Sequence, residues 1–260
     1  MDKLPDVVVT AGTTWEPIDS VRIWGNVFTG KTGATLAVAL LHHANVLLLT
    51  SNPAIAAAAP PPGAPGILTI KTFRTAADLA ESLHHAVAAG PAAVFMTAAV
   101  CDYAPTGVFR IIEKREVEGS RPARYMWLVE DVQAAKVKSD HGEIAVRAVA
   151  TEKIIDLLRS RWQYGGLIYK FKLEAGMNEE DMLKIARGAR AQSGAEVLVA
   201  NTLEMVDDVR GGAWIIDDQQ ARRVDRAALA PALANDFCQR ITARGGHAPQ
   251  MSENDTPTGG

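Results

Sequence analysis

Thr10-Ala-Gly-Thr-Thr-Trp-Glu-Pro-Ile-Asp-Ser-Val-Arg-Ile-Trp-Gly-Asn-Val-Phe-Thr-Gly-Lys-Thr-Gly33 is the stretch whose reading decides the fold. It follows the apolar run Val7-Val8-Val9 and precedes a helical pattern. It therefore reads as a long loop carried from the C-terminal end of a first strand to the start of a first helix. In an open α/β sheet, ligands bind at such loops. The loop closes on Thr29-Gly30-Lys31-Thr32-Gly33. At a helix start, free backbone N–H groups and the helix dipole favour an anion.

Outward from this loop, strand and helix patterns alternate. Pro5 to Thr10, Val46 to Thr50, Ile67 to Lys71 and Ala93 to Met96 read as strands. Gly33 to His43 carries Ala37, Leu40, Leu41 and Ala44 on one helical face. Ser51 to Gly66 is rich in Ala and Pro and lacks periodicity, so it reads as a loop. Thr75-Ala-Ala-Asp78 has the pattern of a capping box. From Ala104 to Glu143 the rhythm breaks. Phe109 to Ile112 and Tyr125 to Val129 suggest a two-stranded flap leaving the sheet, and Ile144 to Ala148 is a further strand candidate. A ribbon of that kind is marginal alone and calls for a partner surface. Alternation then resumes. Thr151 is expected to cap a helix presenting Ile154, Ile155, Leu158 and Trp162, and Leu167 to Leu173 is a strand. Asn178 caps the next helix, and Glu196 to Ala200 is a strand. A hairpin follows, from Ala213 to Val224, and Leu229, Leu233, Phe237 and Ile241 line a last helix. This pattern predicts an α/β, Rossmann-like fold: a mainly parallel sheet, helices on both faces, and a flap. Residues 1–244 form one domain with an excursion over 104–143, and the polar segment 245–260 reads as a disordered tail.

The net charge of −3 gives no argument for nucleic acid or a membrane surface as a partner. No apolar stretch reaches spanning length, and the N-terminus lacks the pattern of a signal peptide. Two cysteines, Cys101 and Cys238, make neither a disulfide framework nor a zinc spacing, so no metal site is expected in the protein itself. A cytoplasmic compartment is the natural setting.

Several residues carry candidate chemistry, each beside a plainer reading. Gly25-Asn-Val-Phe-Thr-Gly30-Lys31-Thr32 matches the Walker A pattern. The convincing strand, however, ends well upstream, and neither Val46 to Leu49 nor Ala93 to Met96 ends in the Asp that a Walker B strand supplies. Gly-x-Gly-x-x-Gly is absent after the first strand, which argues against an ordinary dehydrogenase. Asp102, in Ala98-Ala-Val-Cys-Asp-Tyr103, suits a ribose, a base amine or a metal-bound water, or equally a loop or helix cap. Cys101 has no base close in sequence and reads as buried filler. Lys136 and Lys138 share one side of an extended segment and suit phosphates, or a solvated charge cluster. Phe171 at a strand end suits base stacking or core packing. Lys184, Arg187 and Arg190 form either a triphosphate-facing stripe or the wet face of a helix.

Placed in order, these pieces resemble phosphopantothenoylcysteine synthetases, also called phosphopantothenate–cysteine ligases. The family pattern T-A-G-G-T-x-E-P-[IL]-D-x-V-R is met by Thr10 to Arg22, and S-N-x-S-S-G-K-x-G by Gly25 to Gly33. A-A-V-A-D-Y is met by Ala98 to Tyr103, K-I-K-K by Lys136 to Ser139, F-K-L-E by Phe171 to Glu174, and A-N by Ala200-Asn201. The resemblance implies a Rossmann-like homodimer whose flap crosses to the neighbour. It implies a ligase of coenzyme A biosynthesis joining 4′-phosphopantothenate to L-cysteine. CTP or ATP serves as co-substrate, Mg²⁺ as cofactor, and an acyl-nucleotidylate as intermediate. In that reading Asn26 holds the intermediate and Lys136 stabilises phosphate charge. Gly12, Gly30, Lys31, Ala98, Asp102, Phe171 and Asn201, with Lys136, line the nucleotide site. Four positions depart from the pattern: Thr13 replaces Gly, Phe28 replaces Ser, Ser139 replaces Lys, and Lys153 stands where the family's N-P-D-I has Asp. These departures bear on nucleotide choice and substrate identity.

Overall fold

The computed structural model describes residues 6–56, 63–132, 136–203, 205 and 211–245. The expected tail, 245–260, lies beyond them but for residue 245.

The chain begins with β1 (Val7–Ala11), five buried residues. A short antiparallel ribbon follows, β2 (Trp15–Pro17) paired with β3 (Ile23–Gly25), and then α1 (Lys31–Leu40). Next come β4 (Val46–Thr50), α2 (Pro53–Ala56), β5 (Leu68–Thr72), α3 (Ala76–Ala88) and β6 (Ala93–Met96). The excursion consists of β7 (Tyr103–Glu116), β8 (Tyr125–Asp131) and β9 (Ile144–Ala150). The second half holds α4 (Ile154–Ser160), β10 (Leu167–Glu174), α5 (Glu179–Ser193) and β11 (Val197–Thr202). The hairpin β12 (Gly212–Ile216) and β13 (Ala221–Asp225) leads into α6 (Arg226–Ala243).

The main sheet runs β5-β4-β1-β6-β10-β11-β12-β13. The first six of these are parallel and the last two antiparallel. Taken in chain order, the parallel strands stand 3-2-1-4-5-6, the order of dinucleotide-binding sheets, and the winding reverses between β1 and β6. Strands buried on both faces read as unbroken apolar runs, which is why Val7 to Val9 and Val46 to Leu49 carry no alternation. Alternate residues feed two cores. Val7, Val9 and Ala11 pack under α1 and α6 with Leu36, Leu40, Leu233 and Phe237. Val8, Leu47, Val94 and Ile168 pack under α3 and α4 with Leu79, Leu83 and Leu158.

The flap differs from expectation in size. Its third strand, β9, pairs with the opposite edge of β7 and gives the sheet order β8-β7-β9. β7 is long because it serves both neighbours, which fixes residues that have little apolar burial of their own. Thr151 does not cap α4. Lys153 holds the cap position without a side-chain bond, while Thr151 Oγ1 donates to the Cys101 carbonyl at 2.5 Å. The capping box at Thr75 and the Asn178 cap are both formed.

Candidate functional site

Strand order alone places Gly12 to Thr14, after β1, beside Thr97 to Asp102, after β6. Hydrogen bonds then stitch these two loops together. Ala99 N–H donates to the Gly12 carbonyl at 2.9 Å, and Thr14 N–H to the Ala99 carbonyl at 3.1 Å. Ala98 N–H donates to Thr10 Oγ1 at 3.1 Å. Gly12 has φ 89° and lies against Ser51, where a Cβ would stand 2.2 Å from Oγ. Gly30 caps α1 with φ 87°, and Lys31, exposed, is the first residue of the helix. Gly33 lets α1 press onto the sheet, because a Cβ there would meet Thr97 Oγ1 at 2.3 Å and Ala11 Cβ at 2.7 Å. Gly12 and Gly33 thus take two of the glycine roles of a dinucleotide fingerprint, the tight turn and close helix–sheet packing, here separated by the β2–β3 ribbon. The Walker-like string begins on β3, which pairs with β2 and not with the parallel sheet.

The long first loop is pinned along its length. Thr13 N–H donates to Ser51 Oγ at 2.9 Å, and Trp15 N–H to the Arg74 carbonyl at 2.7 Å. Glu16 is buried, and its Oε1 accepts from the Ala76 N–H at 2.8 Å, a donor that α3 leaves unpaired in its first turn. Thr13, in an ordinary backbone conformation, accepts from the Asn26 N–H at 3.2 Å and donates to the Ala99 carbonyl at 3.0 Å. Asn26 Nδ2 reaches the same carbonyl at 3.4 Å, and the side chain lies exposed at the crevice. Cys101 is buried, as expected for filler, with its thiol against the Thr14 carbonyl at 3.2 Å.

Asp102 is exposed and forms an ion pair with Lys153, the residue that departs from the family pattern. Its backbone carbonyl accepts from Thr151 N–H at 2.9 Å. Phe171 lies within β10, half-buried, and packs against the core beneath α1 and α6. Asn201 lies near the end of β11, paired in register with Leu173. Lys136 is exposed, and so is Lys138, with buried Val137 between them, as an extended segment requires. Lys184 and Arg187 are exposed on α5, whereas Arg190 is half-buried. It turns to the Ala195 and Glu196 carbonyls at the N-terminal end of β11, the edge opposite the crevice. Among the described residues, no three His, Cys, Asp or Glu side chains converge as metal ligands.

Sequence reasoning did not separate out Asp19, whose side chain is 1% exposed. Its Oδ1 accepts from the N–H groups of Val21 and Arg22, at 2.9 and 2.8 Å. Its Oδ2 accepts from Arg22 Nη1 at 2.6 Å and from Val137 N–H at 3.1 Å. The Val21 N–H is the largest influence holding its carboxyl down to about 2; Val137 and Arg22 add to it and burial opposes it.

Comparison with known proteins fits this geometry. Residues 3–120 match the model of the DNA/pantothenate metabolism flavoprotein C-terminal domain. Over that segment the chain is similar to this family. The matched residues span β1, the pinned loop, the switch point and the outgoing strand of the flap. Across 221 residues the chain is 26% identical to the coenzyme A biosynthesis bifunctional protein CoaBC of Thermococcus kodakarensis, covering 85% of this chain and 47% of that protein. It is 30% identical over 200 residues to the CoaBC of Mycobacterium tuberculosis, covering 76% and 41%. The chain thus spans less than half the length of these relatives. Among solved structures, a DNA/pantothenate metabolism flavoprotein from Streptococcus pneumoniae aligns with TM-score 0.69 at 23% identity, covering 92% of this chain and 99% of that one. A Cab2 variant in complex with phosphopantothenate-cysteine aligns with TM-score 0.62 at 16% identity, covering 91% and 86%. At these identities the structural likeness concerns the fold.

Proposed function

We propose that this chain is a ligase that joins 4′-phosphopantothenate to L-cysteine in coenzyme A biosynthesis, driven by CTP or ATP. The observation that carries the reading is the seam at the switch point, where Asn26, the start of α1 and Ala98 to Asp102 meet. The names of the relatives and the ligand of the Cab2 complex point the same way.

The chemistry needs activation, because a carboxylate offers oxide as its leaving group. A carboxylate oxygen of phosphopantothenate attacks the α-phosphorus of the nucleotide and expels pyrophosphate. The cysteine amine then attacks the acyl carbon, loses a proton and expels the nucleoside monophosphate. The α1 N-terminus, with Gly12, Gly30, Lys31 and the Ala98 loop, receives the phosphates. Asn26 holds the acyl-nucleotidylate, and Lys136 stabilises charge at the reacting phosphate. Asp102, Phe171 and Asn201 position the nucleotide. Mg²⁺ supplies charge neutralisation on the triphosphate and needs few protein ligands. Asp102, exposed and ion-paired with Lys153, would be the carboxylate of the seam suited to a metal-bound water. The protein acts as a homodimer. Its partner surface is the flap, where Met126 and Leu128 are 63% and 59% exposed and Trp127 is 47% exposed. Two free cysteines suit a cytoplasmic setting.

The test is pyrophosphate release with Mg²⁺ and phosphopantothenate, CTP against ATP, with and without cysteine. Release that depends on phosphopantothenate, with amide formed only when cysteine is present, is expected, and the faster nucleotide is the co-substrate. Asn26→Ala and Lys136→Ala should each lower turnover by roughly 100-fold or more. Orthophosphate released from nucleotide alone would overturn the proposal, as would nucleotide binding without turnover.

A further inference from the structure

Lys136 lies 110 residues beyond Asn26 in sequence (136 against 26), outside both the sheet and the flap strands. For the role proposed above, something must hold its segment near the crevice. The described contacts of that segment converge on one peptide unit and its neighbour. Val137 N–H donates to Asp19 Oδ2 at 3.1 Å, and the Val137 carbonyl accepts from Arg22 Nη1 at 3.0 Å. Arg22 Nη1 also donates to Asp19 Oδ2 at 2.6 Å, so acid and base grip both polar groups of Val137 and each other. The Val137 side chain is 3% exposed and lines a cleft of about 400 Å³ with Ile18, Gly107, Val108 and Val132. Asp19 is fixed by its own turn through Val21 and Arg22 N–H, so it is an anchor and not a mobile partner. One residue from this grip, Lys136 projects exposed.

We propose that Asp19 and Arg22 form a clamp that docks the 136–138 segment on the first loop of the same chain and so positions Lys136 for the ligation step. This rests on the ligase reading given above. Asp19 is a positioning residue: it acts through Lys136 and touches no reacting atom. The sequence spacing follows from the task, because an Asp that closes its own turn with an Arg three residues on presents one acceptor and one donor side by side. An extended segment offers the matching N–H and carbonyl.

Two measurements on the full-length protein test it. The first needs no substrate: hydrogen exchange at the Val137 amide should quicken at least tenfold in Asp19→Asn, where the carboxylate is lost, and also in Arg22→Ala. The Arg22 variant leaves Asp19 and its turn in place, so it guards against a misfolded Asp19 variant. Unchanged exchange in both would overturn the clamp whether or not the chain is a ligase. The second is a kinetic cycle. Asp19→Asn should lower kcat by about tenfold with little change in KM, and Asp19→Glu should recover part of the loss. In a Lys136→Ala background, Asp19→Asn should cost nothing more. An equal further loss in that background would mean that Asp19 supports the fold generally, and the positioning role would be rejected. If the wild-type protein makes no amide, the ligase reading fails while the exchange experiment still decides the clamp.

Discussion

Thr13 occupies a position where the family pattern has glycine, yet its backbone is not in the left-handed region. The hydroxyl takes up work at the seam instead, accepting from Asn26 and donating to Ala99. Thr13→Val keeps the shape and removes both bonds, leaving the Asn26 N–H without this acceptor. It should lower unfolding free energy by about 1–2 kcal/mol, read from urea denaturation, while Thr13→Ser stays near wild type. Asp19 gives a pH-dependent counterpart. Its folded carboxyl lies near 2 against an ordinary 3.8. Stabilisation by Asp19 is therefore complete above about pH 4 and disappears as pH falls through 2. Urea midpoints of wild type and Asp19→Asn should differ at pH 5 and converge toward pH 2. A difference that stays constant across that range would contradict the assignment. Both residues were visible in the motif, and neither role was. The partners of Thr13 include Ala99, and those of Asp19 include Val137, 118 positions away; no local pattern encodes such pairings.

At the scale of elements, α1 depends on a glycine that its own propensity argues against. Gly33→Ala would push a methyl into Thr97 Oγ1 and Ala11 Cβ and should cost about 1–3 kcal/mol, with thermal unfolding as the readout. The α3 start shows the reverse case, a local signal sufficient by itself. Thr75 accepts from Asp78 N–H at 3.1 Å, and Asp78 accepts in turn from Thr75 N–H at 2.9 Å. Thr75→Ala should therefore cost about 1 kcal/mol in the same assay. Elements of this sort were legible because their determinants lie within one turn or one apolar run. β4 and β6 span the residues their apolar runs predict. The β2–β3 ribbon was not legible, since three-residue strands carry no periodicity and Ile23 and Trp24 are exposed. The true length of β7 was hidden for a related reason. Its pairing partners, and not its own alternation, define it.

For the whole molecule, alternation of strands and helices was enough to yield a doubly wound sheet, because right-handed crossovers leave few arrangements open. What it did not contain was which loops touch, and the candidate site is made of such contacts. The flap poses the matching question at its outer surface. Strands so exposed on both sides are marginal alone. In sedimentation, Met126→Glu with Leu128→Glu should shift the proposed dimer toward monomer, while far-ultraviolet circular dichroism of the main domain stays unchanged.

The two ends of the flap meet at its root. Tyr103 pairs with Ala150, and Thr151 is bonded to the backbone of Asp102 and Cys101. In antiparallel pairs, facing Cα atoms lie about 4.5–5.5 Å apart. The flap therefore leaves and re-enters the sheet protein at one point of the chain, with the Val137 grip on Asp19 and Arg22 as a second attachment. Residues 103–150 are removable with a two-glycine bridge from Asp102 to Thr151, and the remaining sheet should still fold. By the same geometry, a foreign domain with adjacent termini could be grafted there, and its movements would be felt first at the seam between Gly12 and Ala99.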